Sequence, residues 1–132
     1  MIKLHDGEKK KMKAYKTEIY PTQAQIELIH KTFGCTRYVY NQYVYDNLEN
    51  LASGRDFISA FSYSKRMNND PNTPSWLKEV PSKAVKQALI YAERAFRDYL
   101  SRRRGKPKFK KKGANDSFYL IGTLKVERHR IF

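Results

Sequence analysis

Apolar residues recur every three or four positions along residues 81–112, and this pattern predicts one long amphipathic helix that runs into a basic tail. Pro81 and Ser82 favour a helix start, whereas Gly105 and Pro107 favour a helix end. One half of the helical wheel is apolar and is expected to face a core. The other half is mostly cationic, which suits a polyanion better than an apolar partner. The apolar half holds Ala84, Val85, Ala88, Leu89, Ala92, Ala95, Phe96, Tyr99 and Leu100, and the polar half holds Lys83, Lys86, Gln87, Glu93, Arg94, Arg97 and Asp98.

The basic tail has eight Lys and Arg residues between positions 102 and 112 and no acid over positions 99–115. Such a run cannot form a core, because burying unpaired charge is costly. It could be a solvated linker or a phosphate contact. Its junction with a cationic helix face favours phosphate contact, with log affinity falling against log salt at a slope near −5 if roughly six charges engage. Its cations are Arg102, Arg103, Arg104, Lys106, Lys108, Lys110, Lys111 and Lys112.

Two further helices are predicted earlier in the chain. Thr22 and Gln25 form a capping-box pattern that opens the first, and Gly34 ends or bends it. The second covers residues 35–52 and has an apolar arc wide enough to lie between two neighbours. Its narrow apolar face is formed by Tyr40, Val44, Leu48 and Leu51. Its tyrosines are expected mainly in the core, with base stacking as the alternative for Tyr38, Tyr43 and Tyr45.

Shorter elements are predicted around these helices. Ser62 is expected to cap a brief helix after an apolar anchor that includes Phe61, and Ser75 to begin a single helical turn in which Trp76 and Leu77 plug the core. Alternation over residues 15–19 indicates a strand, and residues 1–11 show no period and are predicted to be a loose leader. Residues 117–121 and 124–127 also have strand character, and a further strand begins at position 130.

Composition limits the class of protein. A chain of 132 residues is long enough for one modest domain, and 40% hydrophobic residues make it foldable despite a net charge of +14. The charge makes nucleic acid the leading class of partner. No stretch approaches a membrane span and no leader with a cleavage site opens the chain, so a cytoplasmic protein without a membrane partner is predicted. Cys35 is the only cysteine and is expected to be a small buried thiol.

The sequence offers no catalytic constellation. Its acids are scattered, and His5, His30 and His129 lie in three different segments without metal-ligand spacing. Its six glycines form no phosphate-binding loop. We therefore predict no catalytic residue, no metal and no cofactor.

Several blocks of the sequence form an ordered pattern. The first is Met-Lys-Ala-Tyr-Lys-Thr-Glu-Ile-Tyr-Pro-Thr, which begins at Met12. Phe-Gly-Cys-Thr-Arg-Tyr-Val-Tyr-Asn follows from Phe33, and Ser-Trp-Leu-Lys-Glu-Val-Pro-Ser from Ser75. Gln87-Ala-Leu, Ala95-Phe and Pro107-Lys-Phe-Lys-Lys-Lys with Asp-Ser-Phe at 116–118 complete the pattern. These blocks resemble, in the same order, those of transposon-encoded TnpB (OrfB) proteins.

This resemblance implies the amino-terminal part of an RNA-guided DNA endonuclease, with guide RNA and duplex DNA as partners and the nuclease site outside this chain. It implies an α+β fold, in which a helix-turn-helix-like recognition domain of three to four helices is inserted between incomplete wedge-barrel strands. The expected boundaries are a leader at 1–11, a first wedge strand at 12–20, the helical domain at 21–105, a basic linker at 106–116 and returning strands at 117–132. The alternative is an autonomous helix-turn-helix DNA-binding protein.

Nucleic-acid contacts are expected at two sets of residues. Family motif positions are occupied by Tyr15, Lys16, Arg37, Tyr38, Asn41, Ser82, Lys86, Gln87, Lys108, Phe109, Lys110 and Ser117. Charge and helical placement add Lys83, Arg94, Arg97, Arg102, Arg103, Arg104, Lys106, Lys111 and Lys112.

Overall fold

The structure, a computed structural model, describes residues 2–5, 12–15, 18–113, 116–118, 126–127 and 130–131. For the strands the description is of the backbone. The chain divides into two compact units, one formed by Met1–Ile26 with Gly122–Phe132 and the other by Glu27–Ile121. The second unit contains the helical core and most of the candidate site residues.

The first helix, α1, runs without a break from Gln23 to Ala52. Its start is the predicted capping box, since the Thr22 amide donates to Gln25 Oε1 at 2.8 Å and the Gln25 amide donates to Thr22 Oγ1 at 3.3 Å. The prediction that Gly34 ends or bends the helix is wrong. A glycine inside a helix costs only about 1 kcal/mol, and the buried face continues across it from Thr32 to Cys35.

One stripe of α1 faces the core, and it agrees only in part with the stripe that the sequence predicted. Tyr40 and Val44 are buried as expected and Leu48 packs against the core, whereas Leu51 is exposed. Tyr43 is fully buried, which agrees with the expectation that the tyrosines lie mainly in the core and excludes base stacking as its role in this fold. The stripe comprises Thr32, Cys35, Thr36, Val39, Tyr40, Tyr43, Val44 and Asn47.

The second helix, α2, spans Ala60–Asn69, and a 3-10 helix follows at Ser75–Glu79. The predicted cap at Ser62 is wrong. Ser59 Oγ accepts a hydrogen bond from the Ser62 amide at 3.2 Å, so Ser59 is the cap and the helix starts three residues earlier. The predicted plug is confirmed at Leu77, which is buried, while Trp76 packs edge-on against Tyr38 with ring centroids 5.0 Å apart.

The third helix, α3, spans Ser82–Leu100 and buries Ala84, Ala88, Leu89, Ala92 and Phe96, as its apolar pattern predicts. It ends before the predicted stop at Gly105. Arg102 adopts a positive φ of 61°, and its amide donates to the Tyr99 carbonyl at 3.0 Å. The next amide, of Arg103, donates to the Asp98 carbonyl at 2.9 Å. These two bonds form a Schellman motif, which closes the helix.

The core of the helical unit is rich in aromatic rings. Tyr43 packs edge-on against Tyr63 at 5.3 Å between ring centroids, and Phe57 stacks on Phe96 at 5.5 Å. Cys35 lies buried in the same cluster. Burial raises the pKa of its thiol above the usual value, which agrees with the predicted role of a small apolar group.

The strands form two separate hairpins. β1 (Ile2–His5) pairs antiparallel with β2 (Met12–Tyr15), and β3 (Val126–Glu127) pairs antiparallel with β4 (Arg130–Ile131). The leader predicted as irregular thus contains a strand. Parts of the predicted segments, residues 16–17 and 119–125 among them, lie outside the described residues.

The predicted α+β fold class is wrong. An α+β fold requires a sheet that buries one face against helices. Every regular element described within Glu27–Ile121 is a helix, and the described strands form only two-stranded hairpins and no wedge barrel. Within the predicted first wedge strand at 12–20, the described strand covers Met12–Tyr15 and pairs locally with residues 2–5. The predicted domain boundaries stay a prediction.

Within the described part of the chain, no helix is both long enough and apolar enough to cross a membrane.

Candidate nucleic-acid interface

The backbone of the basic tail is fastened to α1 by Asn41. Asn41 Nδ2 donates to the Lys110 carbonyl at 3.0 Å, and the Lys110 amide donates to Asn41 Oδ1 at 2.7 Å. The side-chain amide thus forms two bonds to one residue, as a neighbouring strand would. Since both bonds involve backbone atoms of Lys110, the path of the tail is fixed without using its charged groups.

Two more contacts hold the tail along the same stripe of α1. Arg37, one turn before Asn41, forms an ion pair with Asp116 at 3.2 Å between Nη1 and Oδ1. Phe33, one turn earlier, packs against Phe118 at 5.4 Å between ring centroids. Residues four apart on a helix lie above one another, so this stripe guides the tail back along α1.

The cations of the tail remain accessible although its backbone is held. All eight Lys and Arg residues from 102 to 112 are exposed. Lys110 Nζ lies 4.6 Å from the centroid of the Tyr40 ring, and Arg104 lies 3.9 Å from Asp98. Phe109 is half exposed between the lysines. An ordered backbone that presents cations and one aromatic ring can bind phosphates and stack on a base.

Asn41→Ala should release the tail without changing its charge. Two hydrogen bonds are lost, and each contributes about 1 kcal/mol, so trypsin cleavage after Lys108 or Lys110 should become about thirtyfold faster where cleavage follows the open population. Gln42→Ala is the matched control, because Gln42 is exposed on α1 and its side chain makes no hydrogen bond in the part of the chain that the structure describes. Equal cleavage rates in the two variants would contradict the clamp.

The outer surface of α3 presents a second set of cations. Lys83, Lys86, Arg94 and Arg97 are exposed at helical spacing. Glu93 is turned inward, where its Oε1 accepts the Ala60 amide at 3.0 Å and lies 3.5 Å from Arg97 Nη2. This carboxylate stabilises the amino-terminal end of α2. Because Glu93 also pairs with Arg97, the positive charge of the outer surface of α3 lies mainly on Lys83, Lys86 and Arg94.

The other candidate residues are placed in different ways. The prediction that Gln87 lies on the exposed face is wrong, since it is only 9% exposed. Tyr38 is half-buried against Trp76, whereas Ser82 and Ser117 are exposed. Tyr15 belongs to β2 by its backbone, and Lys16 lies outside the described residues.

The sequence reading missed two features of this surface. Phe61, predicted as an apolar anchor, is 71% exposed on α2, with Lys65 Nζ 5.1 Å from its ring centroid. Asp116 was not among the candidate residues, although it bonds both Arg37 and the Gly113 amide. The spacing of Gly113 and Asp116 is a turn signal that could have identified it.

No group of three or more His, Cys, Asp or Glu side chains in the described ranges is arranged to hold a metal ion.

Residues 12–56 match a family profile described as a helix-turn-helix domain of the OrfB/IS605 type. The chain is also 31% identical over 128 residues to InsQ of Escherichia coli (strain K12), a candidate RNA-guided DNA endonuclease by name. The chain therefore resembles the OrfB (TnpB) family, both in its helix-turn-helix profile and over most of its own length. The predicted resemblance is therefore confirmed.

The similarity to these family members is partial in length. The match to InsQ covers 93% of this chain and 32% of InsQ. A second relative, from Streptomyces pristinaespiralis and also named as a candidate RNA-guided DNA endonuclease, is 29% identical over 100 residues, which are 74% of this chain and 25% of that protein. The chain therefore spans about a third and a quarter of the lengths of these two OrfB relatives.

The OrfB helix-turn-helix match takes an unexpected form in the structure. The described elements within residues 12–56 are β2 and the single helix α1. A helix-turn-helix unit needs two helices joined by a short turn, so a second helix would have to come from α2 or α3.

Proposed function

We propose that this chain is a nucleic-acid-binding region of an RNA-guided DNA endonuclease of the OrfB family. It contacts a guide RNA and the duplex next to the target, and it has no part in cleaving either strand. The family relationship and the charge of +14 support the proposal. The observation that carries it is the basic tail, which α1 holds in place while all eight cations stay exposed.

A fastened tail binds more tightly than a loose one with the same charge. Binding a phosphate backbone to a flexible segment costs conformational entropy for each side chain and backbone residue that becomes ordered. The bonds of Asn41 to Lys110 and of Arg37 to Asp116 meet part of that cost during folding. The remaining affinity comes from counterions released when phosphates are neutralised.

The test is binding of the purified chain to a structured RNA and to duplex DNA across a salt series. We expect binding of structured RNA, with log affinity falling against log salt at a slope of roughly −4 to −5, since roughly six of the eight tail cations can face phosphates. Retention of duplex alone, with no RNA, would favour an autonomous DNA-binding protein. A folded chain that ignores both polymers at low salt would overturn the proposal, and so would magnesium-dependent cleavage by this chain.

A further inference from the structure

A groove with a volume of about 560 Å³ lies between the carboxyl-terminal half of α2 and the amino-terminal half of α3. This volume falls within the range of roughly 300–1,000 Å³ that small-molecule sites occupy. The 3-10 helix contributes Leu77 to its lining. The floor is aliphatic and is formed by Met67, Leu77, Val80, Val85 and Leu89.

The groove combines this apolar floor with cations on one side. Lys78 and Lys86 line it from the 3-10 helix and from α3, and both are exposed. Neither ammonium group has a carboxylate within ion-pair distance among the residues the structure describes, since the four ion pairs found there involve other cations. The two lysines are therefore available to an anion.

The α2 side of the groove carries hydrogen-bonding groups. Ser64, Asn68 and Asp70 line it there. One oxygen of Asp70, Oδ1, accepts the Asn72 amide at 2.9 Å. The Asn68 amide can donate and accept, whereas the carboxylate can only accept. An anion next to Asp70 would be repelled by its carboxylate. An anionic ligand must therefore place its negative charge at the lysines, and its neutral edge, which carries hydrogen-bond donors, must lie near α2.

We infer that this groove holds one unpaired nucleotide of the bound strand. Its base lies against the aliphatic floor with its polar edge toward Asn68 and Asp70, and its phosphate lies at Lys86 and Lys78. A nucleotide has this arrangement, because a flat face, a hydrogen-bonding edge and an anion lie at different ends of one ligand. The inference rests on the proposed function, which supplies the strand, but it concerns a site separate from the tail.

The test uses the full chain with methyl-labelled methionine and adenosine 5′-monophosphate as the probe. Only three methionines are present, and Met67 is the one in the groove. The ring current of a stacked base should shift the Met67 methyl signal. Lys86→Ala should weaken binding about fivefold, the effect of one exposed ion pair. Arg55→Ala is the charge-matched control at an exposed position outside the groove, and it should leave binding unchanged.

Three outcomes would overturn the inference. The first is an unmoved Met67 signal, and the second is an equal effect of Arg55→Ala and Lys86→Ala. The third is a shift with the free nucleotide but none with a single-stranded oligoadenylate that binds the chain, which would mark a pocket for free nucleotides only. An abasic strand of equal length should bind through the tail without shifting Met67. If both strands bind and neither moves the signal, the groove inference fails while the proposed function stands.

Discussion

Replacing Lys108, Lys110, Lys111 and Lys112 with alanine is expected to reduce the slope of log affinity for RNA against log salt by about 3. Each neutralised phosphate contributes about 0.7 to 0.9 to that slope, depending on whether the nucleic acid is single- or double-stranded. A change of about 3 amounts to a loss of roughly 10³-fold in affinity at 0.1 M salt, relative to 1 M. The measurement is a salt series of binding isotherms, with circular dichroism to confirm unchanged helical content.

The structure explains why this variant should fold normally. The four lysines are exposed, and the bonds that fix the tail involve the backbone of Lys110, which alanine retains. The loss of the Lys110 contact with Tyr40 costs about 0.5–1 kcal/mol at an exposed site. The matched control changes the same four lysines to arginine, which keeps the charge and should keep the slope. A wild-type slope in the alanine variant would exclude the tail as a phosphate contact.

The charge and the path of the tail can thus be altered separately. The lysine variant removes charge and keeps the clamp, whereas Asn41→Ala removes the clamp and keeps the charge. If preorganisation contributes to binding, the second change should weaken RNA binding without altering the salt slope. The path of the tail depends on Asn41 of α1, whereas its charge is carried by the lysines of the tail itself. The sequence motifs had grouped all of these residues as equivalent nucleic-acid contacts.

Local patterns in the sequence predicted local structure well. The amphipathic pattern of α3 identified the residues that it buries, since helical period and burial are directly linked. Thr22 and Gln25 predicted the start of α1, because a capping box is complete within four residues. The failures at Gly34 and Ser62 were also local. Gly34 did not end α1, because the buried face of the helix continues across it. Ser62 did not cap α2, because Ser59 caps the helix three residues earlier.

Contacts between distant parts of the chain could not be predicted in this way. Asn41 and Lys110 are 69 positions apart, and Arg37 and Asp116 are 79 positions apart. Nothing in the local pattern of either segment indicates its partner. The burial of Gln87 was missed for a related reason. A helical wheel shows which residues share a face, but it does not show which residues at the border of the polar face are covered by a neighbouring element. The α+β prediction followed from the family resemblance, and it failed because the described strands pair only within two-stranded hairpins.

The same kind of contact as the Asn41 clamp occurs in the core. Asn47, six positions further along α1, accepts the Ile58 amide at 2.8 Å and donates to the Ile58 carbonyl at 3.3 Å. It also donates to the Tyr43 carbonyl at 3.2 Å. Thus α1 uses one asparagine to fasten the connector that leads into α2 and another to fasten the tail after α3. The core asparagine is only 1% exposed, so its bonds should matter far more for stability.

Asn47→Ala is expected to lower the free energy of unfolding by about 3 kcal/mol. In this variant the Ile58 carbonyl still accepts a hydrogen bond from the Tyr43 hydroxyl at 2.7 Å. The Ile58 amide, however, loses its acceptor, and a buried amide without an acceptor costs about 1–3 kcal/mol. The vacated volume adds to this cost. Urea unfolding measures the change.

Asn50→Ala, one turn further on α1, is the control. It removes the same group at a half-buried position without a side-chain hydrogen bond in the described structure, and it should change the free energy of unfolding by less than about 0.5 kcal/mol. Similar losses in both variants would mean that helix propensity, and not the bond to Ile58, determines the contribution of Asn47. A selective loss in Asn47→Ala would show that the bonds between Asn47 and Ile58 hold the connector against α1.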